Sequence, residues 1–251
     1  MNRKVELFMS IALLFSAVFL AREGALLAKR VKFPPPYSTQ NTFESETPSS
    51  MMPAKLTDFC IVIDAGHGGA DPGKIGVNHL LEKDLNLSIA LLLAETLTEN
   101  GISIVLTRDT DTDLSNGAPN LKSADMRNRC QLITDAAPIF TVSIHQNSYP
   151  SESVTGAQVF YFTQSKEGLE LAHTLQNSLI TNLDPTNKRQ PKANDNYYLL
   201  KKTPTPTVIV ECGFLSSPVE SALLATPEYQ EKVVHAIYLG ILEYLNKNDY
   251  L

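Results

Sequence analysis

The chain has little cysteine and no concentration of positive charge, and each shortage closes off a class of protein. Only three cysteines occur, Cys60, Cys130 and Cys212. They are too few and too scattered for the disulfide framework of a small secreted protein, and no Cys-x-x-Cys pair suggests a thiolate zinc site. Buried free thiols are the expectation. Acidic residues outnumber basic ones, 27 to 21, for a formal net charge of -6 and a pI near 5.4. A nucleic-acid partner would need a clustered basic surface, so it is excluded from the expected partners. No internal repeat and no long block of like charge is present. The completing residues of a phosphate-binding loop are also lacking. Gly68, Gly73 and Lys74 match its first part, but Ile75 stands where a hydroxyl is needed for magnesium, and Asp71 would sit among the phosphates.

What is present divides into three stretches. Arg3 and Lys4 precede an uncharged apolar run, residues 7–21, which Arg22 and Glu23 close. This pattern predicts an export signal or N-terminal membrane anchor over residues 1–31. Phe19-Leu20-Ala21 offers a small-residue cleavage site, while the run is nearly long enough to stay as a short anchor, and both readings stand. Residues 32–57 begin with Pro34-Pro35-Pro36 and continue in Ser, Thr, Asn and Glu, the composition of a linker. Residues 58–248 alternate apolar runs with polar turns and are long enough for one catalytic domain.

Within that domain, residues 59–63, 102–106, 138–144, 157–162 and 207–210 read as strands. Helical spacing runs from Glu82 to Asn100-Gly101, through 126–133, 169–179 and 229–245, and residues 198–200 read as a brief extended piece. Strand and helix alternate, which predicts an α/β fold: a single-domain, three-layer sandwich with a central, mainly parallel sheet flanked by helices.

In such sheets ligands gather beyond the carboxyl ends of the strands. His67, His145 and Glu211 each follow an apolar run, and Glu82 opens the first long helix. Taken singly, His67 could be a loop histidine, and Glu82 could merely suit a helix dipole. Together, His67, Glu82 and His145 supply the three protein ligands of a catalytic zinc ion. Glu211 is left over. A carboxylate directly after Val208-Ile209-Val210 is costly to bury without a partner, and near an attacking water it is placed to take a proton. His173 and His235 fall inside helices without a partner at metal-binding spacing, and His79 lies in the loop before Glu82, where it could at most line the site. Cys212 would point to the opposite strand face from Glu211 and reads as packing.

The segments Ile63-Asp64-Ala65-Gly66-His67-Gly68-Gly69, Glu82-Lys83-Asp84-Leu85-Asn86-Leu87, Leu106-Thr107-Arg108-Asp109, Ser143-Ile144-His145-Gln146-Asn147 and Val210-Glu211-Cys212-Gly213-Phe214-Leu215-Ser216 resemble the N-acetylmuramoyl-L-alanine amidase type 3 family, in its order and over nearly the whole domain. The resemblance implies one zinc ion on His67, Glu82 and His145, a catalytic carboxylate at Glu211, and substrate positioning by Asn147. It implies cleavage of the amide between the lactyl group of N-acetylmuramic acid and the L-alanine of the peptidoglycan stem peptide. Gln146, Cys212 and Ser217 depart from the residues common at those positions.

Within the family the chain looks most like the sporulation and germination amidases of the spore cortex. Their product is the substrate of a muramic acid deacetylase in forming muramic δ-lactam. That likeness implies action outside the cytoplasmic membrane, in the forespore intermembrane or cortex space, with an activating partner protein as a further expectation. Thr163-Gln164-Ser165 leads almost directly into the next helix, where regulated division amidases carry an inhibitory insertion. Two other readings use the same residues: a non-catalytic peptidoglycan-binding or assembly protein, and a zinc peptidase cutting within the stem peptide.

Overall fold

A computed structural model describes residues 59–118 and 120–251. The expected export segment and linker, residues 1–57, lie outside the described residues.

Continuous apolar runs form the central strands, as expected where both faces of a sheet are covered. β1 (Cys60–Ala65), β2 (Ser103–Leu106), β3 (Phe140–Asn147), β4 (Gln158–Tyr161), β5 (Lys192–Ala193) and β6 (Thr207–Phe214) form one sheet in the order β2-β1-β3-β6-β4-β5. All neighbours run parallel except β4 against β6, so the sheet is mixed and mainly parallel.

The helices are α1 (Glu82–Glu99), α2 (Leu121–Ala136), α3 (Lys166–Asn182), α4 (Tyr198–Lys202), α5 (Pro218–Leu224) and α6 (Pro227–Lys247). Side chains alternate across β1 and divide two cores. Ile61 and Ile63 join Leu85, Ile89 and Leu93 of α1, Leu171 and Leu175 of α3, and Ile237 and Ile241 of α6. Val62, on the other face, packs with Cys130 and Ile133 of α2 and Leu199 of α4. The result is the expected three-layer sandwich. Burying each of these large aliphatic side chains contributes about 1.5–3 kcal/mol. All three cysteines are free; Cys130 and Cys212 are buried and Cys60 is partly so. Among the described residues no helix is long and apolar enough to cross a membrane.

The helix starts differ in a way that matters for the site. Asn120, Ser165, Ser217 and Thr226 cap α2, α3, α5 and α6 through their side chains. α1 has no side-chain cap at Leu81, and its first residue, Glu82, is buried instead of turned to solvent.

Five elements depart from the sequence expectation. β3 and β6 extend past Ile144 and Val210, so His145 and Glu211 are paired residues within the strands rather than residues beyond them. The expected extended piece at 198–200 is α4, a short helix. Asn194 Oδ1 accepts from the backbone N–H groups of Asn196 and Tyr197 and curls the chain there. Leu199 and Leu200 can then face two separate apolar clusters. α5 and β5 were not anticipated: each is too short to show periodicity.

Candidate active site

Four segments converge at the carboxyl edge of β1, β3 and β6. His67 stands on the turn after β1 with φ of 62°, in the left-handed region. That turn is held from behind. Arg108 Nη2 and Asn86 Nδ2 each donate to the Gly66 carbonyl, both at 3.1 Å. Arg129 Nη1 donates to the Ala65 carbonyl at 2.7 Å, and its Nη2 to the His67 carbonyl. Two guanidinium groups thereby meet the carbonyls of three successive residues, Ala65, Gly66 and His67.

Arg129 is itself neutralised. It pairs with Asp64 at 2.8 Å and with Asp125 at 2.8 Å, all three side chains being almost fully buried. Burial works against charge on Asp64, but Arg129, with hydrogen bonds from Ser143 and Thr107, overrides it and holds the carboxyl at about 2. Asp64 and Arg108 belong to the sequence segments above. Asp125 and Arg129 do not, and their only sequence sign is a helical i,i+4 spacing of opposite charges.

Two glycines are required by close approach. A Cβ at Gly66 would collide with the His145 imidazole. A Cβ at Gly73, where φ is +66°, would lie 2.6 Å from Glu82 Oε2 and 2.7 Å from the His67 ring.

Both oxygens of Glu82 are engaged. Oε1 is 2.9 Å from His145 Nδ1 and accepts from the Gln146 backbone N–H at 3.1 Å. Oε2 is 3.3 Å from His67 Nε2 and accepts from the Lys74 backbone N–H at 2.7 Å. Burial alone would raise this carboxyl. Instead the hydrogen bonds and charge of His145 and His67 hold it far below the usual carboxylate range. His145 is pulled in two directions: burial favours the neutral ring, while Glu82 and then Glu211 and Asp64 favour the charged one and prevail.

Potential ligand atoms of His67, Glu82 and His145 all lie within 4.8 Å of one another. Tetrahedral zinc with bonds near 2.0–2.1 Å spaces its ligands about 3.3 Å apart, and the 3.3 Å between His67 Nε2 and Glu82 Oε2 matches that spacing. Two imidazoles and a carboxylate this close together fit a divalent cation of the zinc type. The outer partner of His67 is Asp71, whose Oδ2 lies 3.0 Å from His67 Nδ1. Such a partner fixes the ring and leaves the other nitrogen free to bind. The sequence sign of this role is the i+4 spacing of Asp71 from His67.

Glu211 lies beside His145 in the β3–β6 register and is 7 % exposed. Its Oε2 is buried without a hydrogen-bond partner. Burial, reinforced by the charge of Glu82 and only partly opposed by His145 and His67, pushes the carboxyl up to about 7. Asn147 ends β3; its Oδ1 accepts from the Ser148 N–H at 2.8 Å, and its backbone carbonyl accepts from Leu215 at 2.8 Å. A cavity of about 470 Å³ is lined by His67, Glu82, His145, Asn147 and Glu211 together, with Tyr197 and Tyr198 of the α4 start on one wall and Lys74 and Lys122 among the remaining residues. All five residues singled out in the sequence therefore share one cavity.

A mainly parallel α/β sheet carrying metal-type donors and a separate buried carboxylate at its carboxyl edge has the layout of a metal-assisted hydrolase. The sequence profile of the N-acetylmuramoyl-L-alanine amidase family matches residues 61–243, and the chain belongs to that family. It is 39% identical over 196 residues to the germination-specific N-acetylmuramoyl-L-alanine amidase of Bacillus subtilis strain 168, covering 76% of this chain and 82% of that one. Among solved structures, the CwlD amidase from Clostridioides difficile, in complex with the GerS lipoprotein, is 38% identical with a TM-score of 0.73, covering 76% of this chain and 100% of that one. An N-acetylmuramoyl-L-alanine amidase from Clostridium difficile 630 is 31% identical with a TM-score of 0.68, covering 75% and 97%. The protein is an enzyme, an N-acetylmuramoyl-L-alanine amidase, and peptidoglycan is its substrate class.

Proposed function

We propose that the enzyme is zinc-dependent, with one zinc ion held by His67, Glu82 and His145, Glu211 as the proton-transfer group, and Asn147 helping to position substrate. The observation that carries this reading is the pairing of a fully engaged carboxylate, Glu82, with a buried one whose Oε2 has no partner, Glu211, on one cavity. When bound, zinc would polarise the scissile carbonyl and acidify water. Glu211 would accept the proton of the attacking water and pass it to the departing L-alanine amine, so that the amide bond breaks and a lactyl carboxylate and a free amino terminus result. Asp71 keeps the His67 ring in one orientation through Nδ1. Arg108 and Arg129 hold the carbonyls of the β1 turn, which limits movement of His67 during turnover.

The remaining organisation belongs to the same proposal: residues 1–31 direct export or anchor the chain, residues 32–57 tether it, and residues 58–248 act on the wall outside the cytoplasmic membrane. A role in spore-cortex maturation, ahead of a deacetylase that forms muramic δ-lactam, is supported by the likeness to the germination-specific amidase. An activating partner is supported by the CwlD relative, solved in complex with a lipoprotein.

Mass spectrometry of peptidoglycan incubated with the enzyme tests the reaction. Whole stem peptides with an L-alanine amino terminus should appear, vanish with a chelator, and return with zinc. Shorter peptides would instead favour cutting within the stem. Release that a chelator leaves untouched would contradict the metal role.

A further inference from the structure

Two lysines line the active-site cavity, and their charges are spent differently. Lys122 Nζ lies 3.2 Å from Asp71 Oδ2, so its charge is answered within the protein. The guanidinium of Arg129, also on the wall, is answered by Asp64 and Asp125. Lys74 lines the same cavity and is exposed, and among the described residues its ammonium has no ion pair and no hydrogen-bond partner.

The backbone of Lys74 is nonetheless fixed against the reacting centre. Its N–H donates to Glu82 Oε2 at 2.7 Å, and its carbonyl accepts from the Glu82 N–H at 2.9 Å. Gly73, just before it, touches both Glu82 and the His67 ring so closely that no side chain fits there. A positive charge on a flexible four-carbon stem is thus rooted one residue from the donor triad.

The substrate supplies a matching anion. In peptidoglycan the residue after the L-alanine carries a free α-carboxylate unless it is amidated, because its chain continues through the γ-carboxyl. That group lies about two residue lengths, roughly 7 Å, from the scissile carbonyl. The third residue of some stems bears another carboxylate, farther along.

We propose that Lys74 is a specificity residue that pairs with the α-carboxylate of the second stem-peptide residue, orienting the leaving peptide across the cavity. The proposal rests on the amidase reading above, with the reaction centred at His67, Glu82 and His145. It makes amidation of the wall a determinant of which strands are cut efficiently.

The test uses the zinc-loaded enzyme and three matched muropeptides: the free acid, the second-residue amide and the third-residue amide. Lys74→Met should lower kcat/KM on the free acid about fivefold, through KM, as expected for one solvent-accessible charge pair. On the second-residue amide the loss should be under about twofold, and Lys74→Arg should recover most of the activity on the free acid. An equal loss on acid and second-residue amide, or no loss at all, would overturn the proposal. So would a loss that disappears only on the third-residue amide. Failure of the wild-type enzyme to release peptide from any of the three would instead strike the amidase reading itself.

Discussion

Glu82 and Glu211 line one cavity, and both are buried, at 4 % and 7 % exposure. Their surroundings push them apart. Glu82 opens an uncapped helix and meets two imidazoles and two backbone N–H groups. Glu211 lies within a wholly buried strand, and its Oε2 has no hydrogen-bond partner. The first environment stabilises a permanent negative charge, which suits a metal ligand. The second raises the carboxyl to about 7, which suits a group that must take up and release a proton. Residue type alone makes the two interchangeable; their hydrogen-bond partners tell them apart.

The comparison can be broken most severely on the Glu82 side. Glu82→Ala removes the carboxylate that joins the two histidines, and it should abolish zinc binding and hydrolysis together, read by metal analysis and peptide release. Zinc retained at one ion per chain would show that the donor set lies elsewhere. A milder break is Asp71→Asn, which leaves the ligands in place and weakens only the partner of His67. Zinc affinity should fall about 10- to 100-fold, measured by competition with a chromogenic chelator, and excess zinc should restore turnover. Unchanged affinity would remove Asp71 from the site.

The support behind the site responds to pH. Asp64 is held at about 2 against an ordinary value of 3.8, so its folded pKa lies below the unfolded one. Its contribution is therefore fully present above about pH 4 and is lost as pH falls through about 2, amounting to about 2 kcal/mol. Urea unfolding of the wild type and Asp64→Asn over that range should find the gap between them narrowing in acid. A gap that stays constant would mean that Asp64 titrates normally.

Part of this contrast can be read before any fold is known, because His67, His145 and Glu211 each follow an apolar run that reads as a buried strand, while Glu82 opens a helix. Val208-Ile209-Val210 ahead of Glu211 already places a carboxylate where burial is costly. The sheet order was not legible. β6 inserts between β3 and β4, and the antiparallel turn of β4 against β6 leaves no mark in either sequence. Nor was α4. Its single turn comes from Asn194 side-chain hydrogen bonds and from two leucines facing different clusters, neither of which has a period. The Asp64–Arg129–Asp125 support escaped for a related reason: it joins β1 to α2 across 65 residues between Asp64 and Arg129, and only the fold makes them neighbours.

Glu211→Gln tests the account most directly, since it keeps size and shape while removing the ability to accept a proton. The variant should hold one zinc ion per chain as the wild type does, and stem-peptide release should fall by about 10²–10⁴-fold. Full release by a zinc-loaded Glu211→Gln enzyme would contradict the division of labour between the two carboxylates.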